Sequence, residues 1–159
     1  MSTTYINADL RRLVIARADN LCEYCLIHED DTYFGCEVDH IISEKHGGPT
    51  NAVNLAYACM SCNRNKGSDV GSIVMPLARN IFSRFFNPRI DLWSEHFVLD
   101  NSDKITIVPL NDIGEVTVRI LGFNSIERLL ERQTLYEIDR YPTVQALQRI
   151  ENQSDLSNQ

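Results

Sequence analysis

The 159-residue sequence predicts an α+β fold: a small metal-stapled module over residues 1–70, with a mixed α/β C-terminal extension, 71–159, packed on it rather than forming a separate domain. Three observations carry that expectation. Two Cys-x-x-Cys pairs, Cys22-Glu-Tyr-Cys25 and Cys59-Met-Ser-Cys62, bracket an insert of 33 residues. Polar and apolar residues alternate over 93–99 and 104–110, the period of half-buried strands. Residues 125–140 repeat apolar side chains at helical spacing.

In chain order, Asn7 or Asp9 caps a helix over 8–18, whose turns are marked by Leu10, Leu13, Val14 and Arg17. The first knuckle follows at 22–25. Strands near 36–42 and 54–58, joined through the Gly47-Gly48 loop, lead into a short helix over 60–67. Beyond Gly71 the pattern becomes helical over 75–86 and stops before Asn87-Pro88, because a residue preceding proline disfavours α geometry. Strands over 93–99 and 104–110 flank Asp100-Asn101-Ser102-Asp103, a hairpin turn signal. Residues 115–121 are rich in β-branched side chains, yet Asn111 suits the cap of a helix ending at Gly122, and both assignments stand. The helix over 125–140 places Ile126, Leu129, Leu130 and Ile138 on one stripe. Its Glu127 and Glu131 face Arg128 and Arg132 in exposed pairs worth little. A last helix spans 143–150, and 153–159 is expected to fray.

Four thiolates at tetrahedral positions satisfy a structural Zn²⁺ and leave no place for water or substrate. Two disulfides, or buried cysteines acting as small hydrophobes, are the competing readings. The stretch MSTTYINADLRR has neither an apolar core nor a cleavage signal, which reads against export and for a cytoplasmic location. A reducing cytosol favours metal over disulfide at Cys22, Cys25, Cys59 and Cys62. Cys36 is left over, since a fifth thiol cannot join a full tetrahedron, and is expected to pack in the core of the insert.

Inside the frame stand an Asp39-His40 dipeptide, Asn54 and Asn63. Hydrolysing a phosphodiester requires a base for the water and a cation for the charge that builds on phosphorus and the leaving oxygen. Imidazole titrates near neutrality, so His40 suits the base. Asp39 offers an anionic oxygen and Asn63 a neutral one, a pair suited to holding Mg²⁺ or Mn²⁺ loosely. Adjacent residues on a regular strand face opposite ways, so Asp39 and His40 serve one phosphate only by flanking it or by strand distortion. Each residue has a bland alternative: Asp39 a turn cap, His40 a satisfied core histidine, Asn54 and Asn63 turn or cap residues.

Taken together, Asp39-His40-Ile-Ile, Gly47-Gly48, Asn54-Leu55 and Cys62-Asn63-Arg64-Asn65-Lys66 inside two knuckles resemble the HNH endonucleases, or ββα-metal nucleases, over residues 20–68. The resemblance implies a two-stranded hairpin and a helix with one divalent ion between them. It implies His40 as general base, Asp39 and Asn63 as metal ligands, and Asn54 bracing the loop that orients His40. It also implies products carrying a 5′-phosphate and a 3′-hydroxyl. The family's name reflects histidine at the last position, where this chain has Asn63, a variant that also occurs among such nucleases. The run from Phe86 through Trp93 to Phe97 resembles the segment following the metal module in small free-standing members, implying a covering extension.

At 43% hydrophobic, the chain can bury one sizeable core, and no window approaches the apolar length of a membrane span. Its formal charge of −7 is awkward for gripping DNA. Residues 60–90, however, hold Arg64, Lys66, Arg79, Arg84 and Arg89 against Asp69 alone, a local balance of +4 beside the expected chemistry. Lys45, His46, Arg64 and Lys66 are the expected nucleic-acid contacts. For His46 a solvated loop position is an equal reading. His28 reads as part of an exposed acidic turn and His96 as a core hydrogen-bonder beneath Trp93.

The expected activity is metal-dependent DNA cleavage. Its rivals are a zinc-stabilised nucleic-acid-binding module that does not cut, and a regulatory zinc domain whose acidic surface binds protein. The acidic balance leaves room for a homodimer or a protein partner to add affinity, and no segment marks such an interface.

Overall fold

The computed structural model describes residues 4–152. The fraying expected over 153–159 lies outside the described residues.

Helix α1 (Ala8–Arg17) begins where the Asn7 side chain accepts a hydrogen bond from the Leu10 amide, and Arg17 sits in its last turn. Such a cap is worth about 1 kcal/mol. Of its expected turn markers, Val14 is fully buried and Leu13 is exposed. Strands β1 (Cys36–His40) and β2 (Leu55–Cys59) pair antiparallel, with Cys36 opposite Cys59 and His40 opposite Leu55. β2 is buried along its length, because α1 covers one face and the rest of the protein the other. Cys59 is the last residue before α2 (Met60–Lys66), so the second knuckle is a strand-to-helix junction.

The helix expected over 75–86 is instead a hairpin of β3 (Gly71–Ile73) and β4 (Phe82–Arg84). Pro76, which has no N–H for a helical ladder, starts a single 3-10 turn, and Asn80 ends it in the left-handed region at φ 51°. The Val74 amide reaches the Ile81 carbonyl at 2.7 Å and extends the ladder. Met75, Leu77, Ile81 and Phe82 all stay exposed, so the apparent helical period has no core to face. Gly71 permits the close pairing, since a β-carbon there would lie 2.2 Å from the Ser83 carbonyl oxygen.

The strand expected over 93–99 starts as one helical turn, α3 (Trp93–His96), and only then extends as β5 (Phe97–Leu99). Its partner β6 (Ile107–Pro109) is shorter than expected because the Asp103 carboxylate accepts from the Ile105 and Thr106 amides. The turn at 100–103 is where the sequence puts it. The ambiguous segment is helix α4 (Asp112–Ile120), capped by Asn111 through the Gly114 amide at 3.0 Å.

Helix α5 (Ile126–Glu137) overturns an expectation. Ile126, Leu130 and Ile138 are exposed, and the buried face is Arg128, Arg132 and Leu135. The arginines are therefore not members of exposed pairs. Arg132 donates to the Ile105 carbonyl at 2.6 Å and to Asn124 at 3.0 Å, while Arg128 turns toward the cysteines. These partners replace most of the water a buried guanidinium loses, although Arg132 Nη1 has none among the described residues. α6 (Val144–Glu151) closes the fold, with Thr143 as its cap.

Two apolar cores result. The smaller joins Ile6, Val14 and Ala18 to Val38, Leu55 and Tyr57 of the sheet. The larger packs the knuckle residues Leu21, Tyr24, Leu26 and Ile27 against Trp93, Phe97, Phe123 and Leu135. Polar ties cross the same boundary: the Trp93 indole donates to the Tyr24 carbonyl at 2.9 Å and the Tyr141 hydroxyl to that of Cys25 at 3.2 Å. Cys36 packs against both cores, as expected of a structural thiol. Among the described residues no helix is long and apolar enough to cross a membrane.

Candidate active site and zinc centre

The first knuckle is a tight turn. Leu26 takes φ 64°, its amide bonds the Cys22 carbonyl at 2.9 Å, and the Cys22 amide returns to Ile27 at 2.8 Å. The second knuckle comes from the first turn of α2. Together they bring the sulfurs of Cys22, Cys25, Cys59 and Cys62 within 4.8 Å of one another, all buried and none in a disulfide. Cys25 and Cys59 are 3.8 Å apart. A tetrahedron with zinc–sulfur bonds of about 2.3 Å has edges of about that length. The cluster therefore fits a structural Zn²⁺.

Burial and neighbouring thiols hold Cys22 well above the ordinary thiol range when no metal is present. Burial also raises Cys25, but hydrogen bonds from the other three thiols and the Arg128 charge outweigh it, leaving Cys25 well below that range. The metal-free cluster thus resists holding four thiolates together. Burial lifts the Cys36 thiol far above that range, in keeping with an inert residue.

Against this scaffold lies a groove of about 910 Å³, with Asp39, His40 and Asn63 in its lining. Every residue of β1 contributes to the lining of this groove, Asp39 and His40 among them. His40 is 2% exposed, and its Nε2 lies 2.7 Å from the Thr50 hydroxyl. Asn54 does not reach the groove. Its amide accepts from the Ile42 N–H at 2.9 Å and donates to the carbonyls of Ile42 and Pro49 at 2.8 and 2.9 Å. Those three bonds lock the loop that carries Thr50.

Gly48 is part of the same lock. A β-carbon there would sit 1.8 Å from the Ile42 carbonyl oxygen and 2.7 Å from the Asn54 amide nitrogen. Gly48→Ala should therefore displace the loop and lower stability by about 1–3 kcal/mol, read from chemical denaturation, without loss of zinc. A fully stable variant would mean that the loop is not held by this contact.

Lys45 and Arg64 are exposed on the groove wall. His46 is exposed on the neighbouring turn and does not line it. Lys66 departs from expectation. It is 2% exposed, and its ammonium donates to Asp39 Oδ2 at 3.1 Å and to the His40 carbonyl at 2.8 Å. A buried ammonium needs such partners, so Lys66 is withheld from solvent and from any incoming phosphate.

The positive patch expected over 60–90 is largely neutralised by carboxylates outside that run. Arg79 pairs with Asp112, Arg84 with Asp91 and Arg89 with Glu23. Of those five cations only Arg64 has no ion pair among the described residues. Two residues escaped sequence reasoning, one on the groove wall and one in contact with His40. Arg11, one turn into α1, reaches the wall from outside the cysteine frame, and Thr50 belongs to no motif. Neither carries a local signal. Of the remaining histidines, His28 caps the 3-10 turn at Glu29–Asp31, and His96 is buried against Phe86 and Phe97 with its Nδ1 3.0 Å from Asn111.

The HNH endonuclease family model matches residues 22–69, the stretch from the first knuckle to just past α2. No curated protein matches the chain.

Proposed function

We propose that this chain, which carries an HNH endonuclease module over residues 22–69, is a metal-dependent endonuclease that hydrolyses phosphodiester bonds in DNA. One observation carries the reading: Asp39, His40 and Asn63 line a single groove whose walls carry Arg11, Lys45 and Arg64 beside Glu37 and Glu44. With Nε2 engaged by Thr50, Nδ1 is the nitrogen of His40 left to take a proton from water. Asp39 and Asn63 are the oxygen donors that would hold Mg²⁺ or Mn²⁺. Bound there, such an ion supplies charge stabilisation for the oxygen leaving phosphorus. Asn54 and Gly48 keep the loop in register, and the zinc site anchors the strand and helix that bear the donors. By family likeness the products would end in 5′-phosphate and 3′-hydroxyl. A four-thiol site also favours a reducing, cytoplasmic setting.

A second reading has its own support. Lys66 already compensates the Asp39 charge, as in a module that binds nucleic acid without cutting it. Incubating supercoiled plasmid with zinc-loaded protein and Mg²⁺, Mn²⁺ or Ni²⁺ separates the two. Nicking that depends on the added cation is expected. An intact plasmid under all three, with DNA still bound, would establish the non-cutting module instead.

The neutralised patch makes a further outcome specific. Replacing Arg11, Lys45 and Arg64 together by glutamine should weaken DNA binding and flatten its salt dependence by about 0.9 in log–log slope per lost phosphate contact. Replacing Arg79, Arg84 and Arg89 instead should leave that slope alone, since their charges are already spent. Equal effects from the two triples would remove the groove as the binding face.

A further inference from the structure

We infer that Arg128 is the built-in counter-ion of the zinc centre, and that through it helix α5, outside the matched nuclease module, belongs to the metal site. The Arg128 guanidinium donates to Cys25 Sγ at 2.9 Å and to Cys59 Sγ at 3.5 Å, across 103 and 69 residues of sequence. It is buried, and its other terminal nitrogen bonds the Glu131 carboxylate at 2.7 Å, which fixes the fork with Nη2 aimed at the sulfurs. Four thiolates around Zn²⁺ carry two net negative charges in an apolar pocket. A charge so placed is costly unless a cation or hydrogen bonds compensate it. The two N–H donors on sulfur supply both kinds of compensation. The arrangement also explains why α5 turns arginines inward and leaves Ile126 and Leu130 in solvent.

The division of labour follows from geometry. The two thiols that Arg128 touches come one from each knuckle, so the guanidinium bridges the halves of the site from outside the coordination shell. Partners of this kind typically change metal affinity about 10–100-fold when removed. Leu135 shares the buried face of α5 without touching a sulfur, and so provides a control for packing alone.

The test is zinc affinity, measured by competition with a chromophoric chelator on the full chain. Arg128→Met, similar in length but uncharged, should weaken zinc about 10–100-fold, and Arg128→Lys should recover part of the loss. Leu135→Ala should lower thermal stability, and weaken zinc only as far as coupled folding carries that loss through. In cobalt-substituted protein the thiolate-to-metal charge-transfer band should move to lower energy in Arg128→Met, because its sulfurs lose N–H donors. Unchanged affinity and an unmoved band in Arg128→Met would overturn the inference, as would an equal band shift in Leu135→Ala. If Arg128→Met does not fold, hydrogen exchange on the unmodified protein decides: α5 amides that stay protected after zinc is stripped would refute the coupling. The inference rests on the zinc reading, and metal analysis of the unmodified protein keeps the two apart. Protein purified without zinc, and unable to bind it, would sink the zinc reading first.

Discussion

Stripping zinc is expected to unfold the protein well beyond its first half. Zinc binding to four-thiol modules is worth on the order of 10 kcal/mol of folding free energy. The net stability of a domain is about 5–15 kcal/mol, so its loss is decisive. The four cysteines lie inside the larger core, in contact with residues that pack against Trp93, Phe97 and Phe123 of the extension. Without metal, burial and mutual contact disfavour thiolates at Cys22 and Cys62, and nothing replaces the bonds that pin the knuckles. Collapse should therefore reach both sides of that core, a wider loss than the cysteine frame alone suggests. Circular dichroism melts before and after chelation, and of Cys59→Ser, are the measurement. A cooperative melt that survives verified zinc removal would refute it. Acid should weaken the site as well, because thiols must give up protons to bind zinc and fewer do so as pH falls.

His40 is expected to carry the largest single-residue effect on activity. General-base catalysis by a positioned imidazole is worth about 10²–10⁴-fold, so His40→Ala should bring nicking to the background rate at saturating metal. The fold should pay a smaller price, for His40 is buried against the Thr50 hydroxyl. Leaving that hydroxyl unpaired costs about 1–3 kcal/mol, which makes His40→Gln a useful companion. Thr50→Val removes only the partner of Nε2. It should lower cleavage less than the histidine variants and alter its pH profile, whereas Thr50→Ser should restore both. Zinc content should be normal in every case. Cleavage by His40→Ala at a comparable rate would discard the assigned mechanism, and an unchanged Thr50→Val profile would discard the positioning role.

Much of this was legible in residue order. The cysteine spacing announces a closed metal site, because two-residue spacers let paired sulfurs meet one ion from a turn. The Asn7 cap marks a helix start by short-range hydrogen bonding that needs no distant partner, and Asn111 offers the same signal against a competing strand pattern. The Asp100–Asp103 turn is local in the same sense. Each of these signals is settled within a few residues.

What misled were inferences about which face an element would bury or expose. The 75–86 segment has helical spacing but folds as a hairpin, since Pro76 and the pairing of Gly71 with Arg84 outweigh a stripe that has no core to meet. The basic run over 60–90 looks like a nucleic-acid surface, yet Glu23, Asp91 and Asp112 quench three of its arginines and Asp39 its lysine. Helix α5 inverts its apolar stripe because Arg128 and Arg132 find sulfur and carbonyl partners inside.

Sequence by itself determined the four-thiol frame and most helix starts, and it singled out Asp39, His40, Asn54 and Asn63 as candidates. Tertiary structure alone decided which charges are paired, which residues wall the groove, and that an arginine from the extension faces the cysteines. Caps and knuckles close over short loops, whereas the fate of a charge depends on partners up to a hundred residues away, which no local pattern encodes.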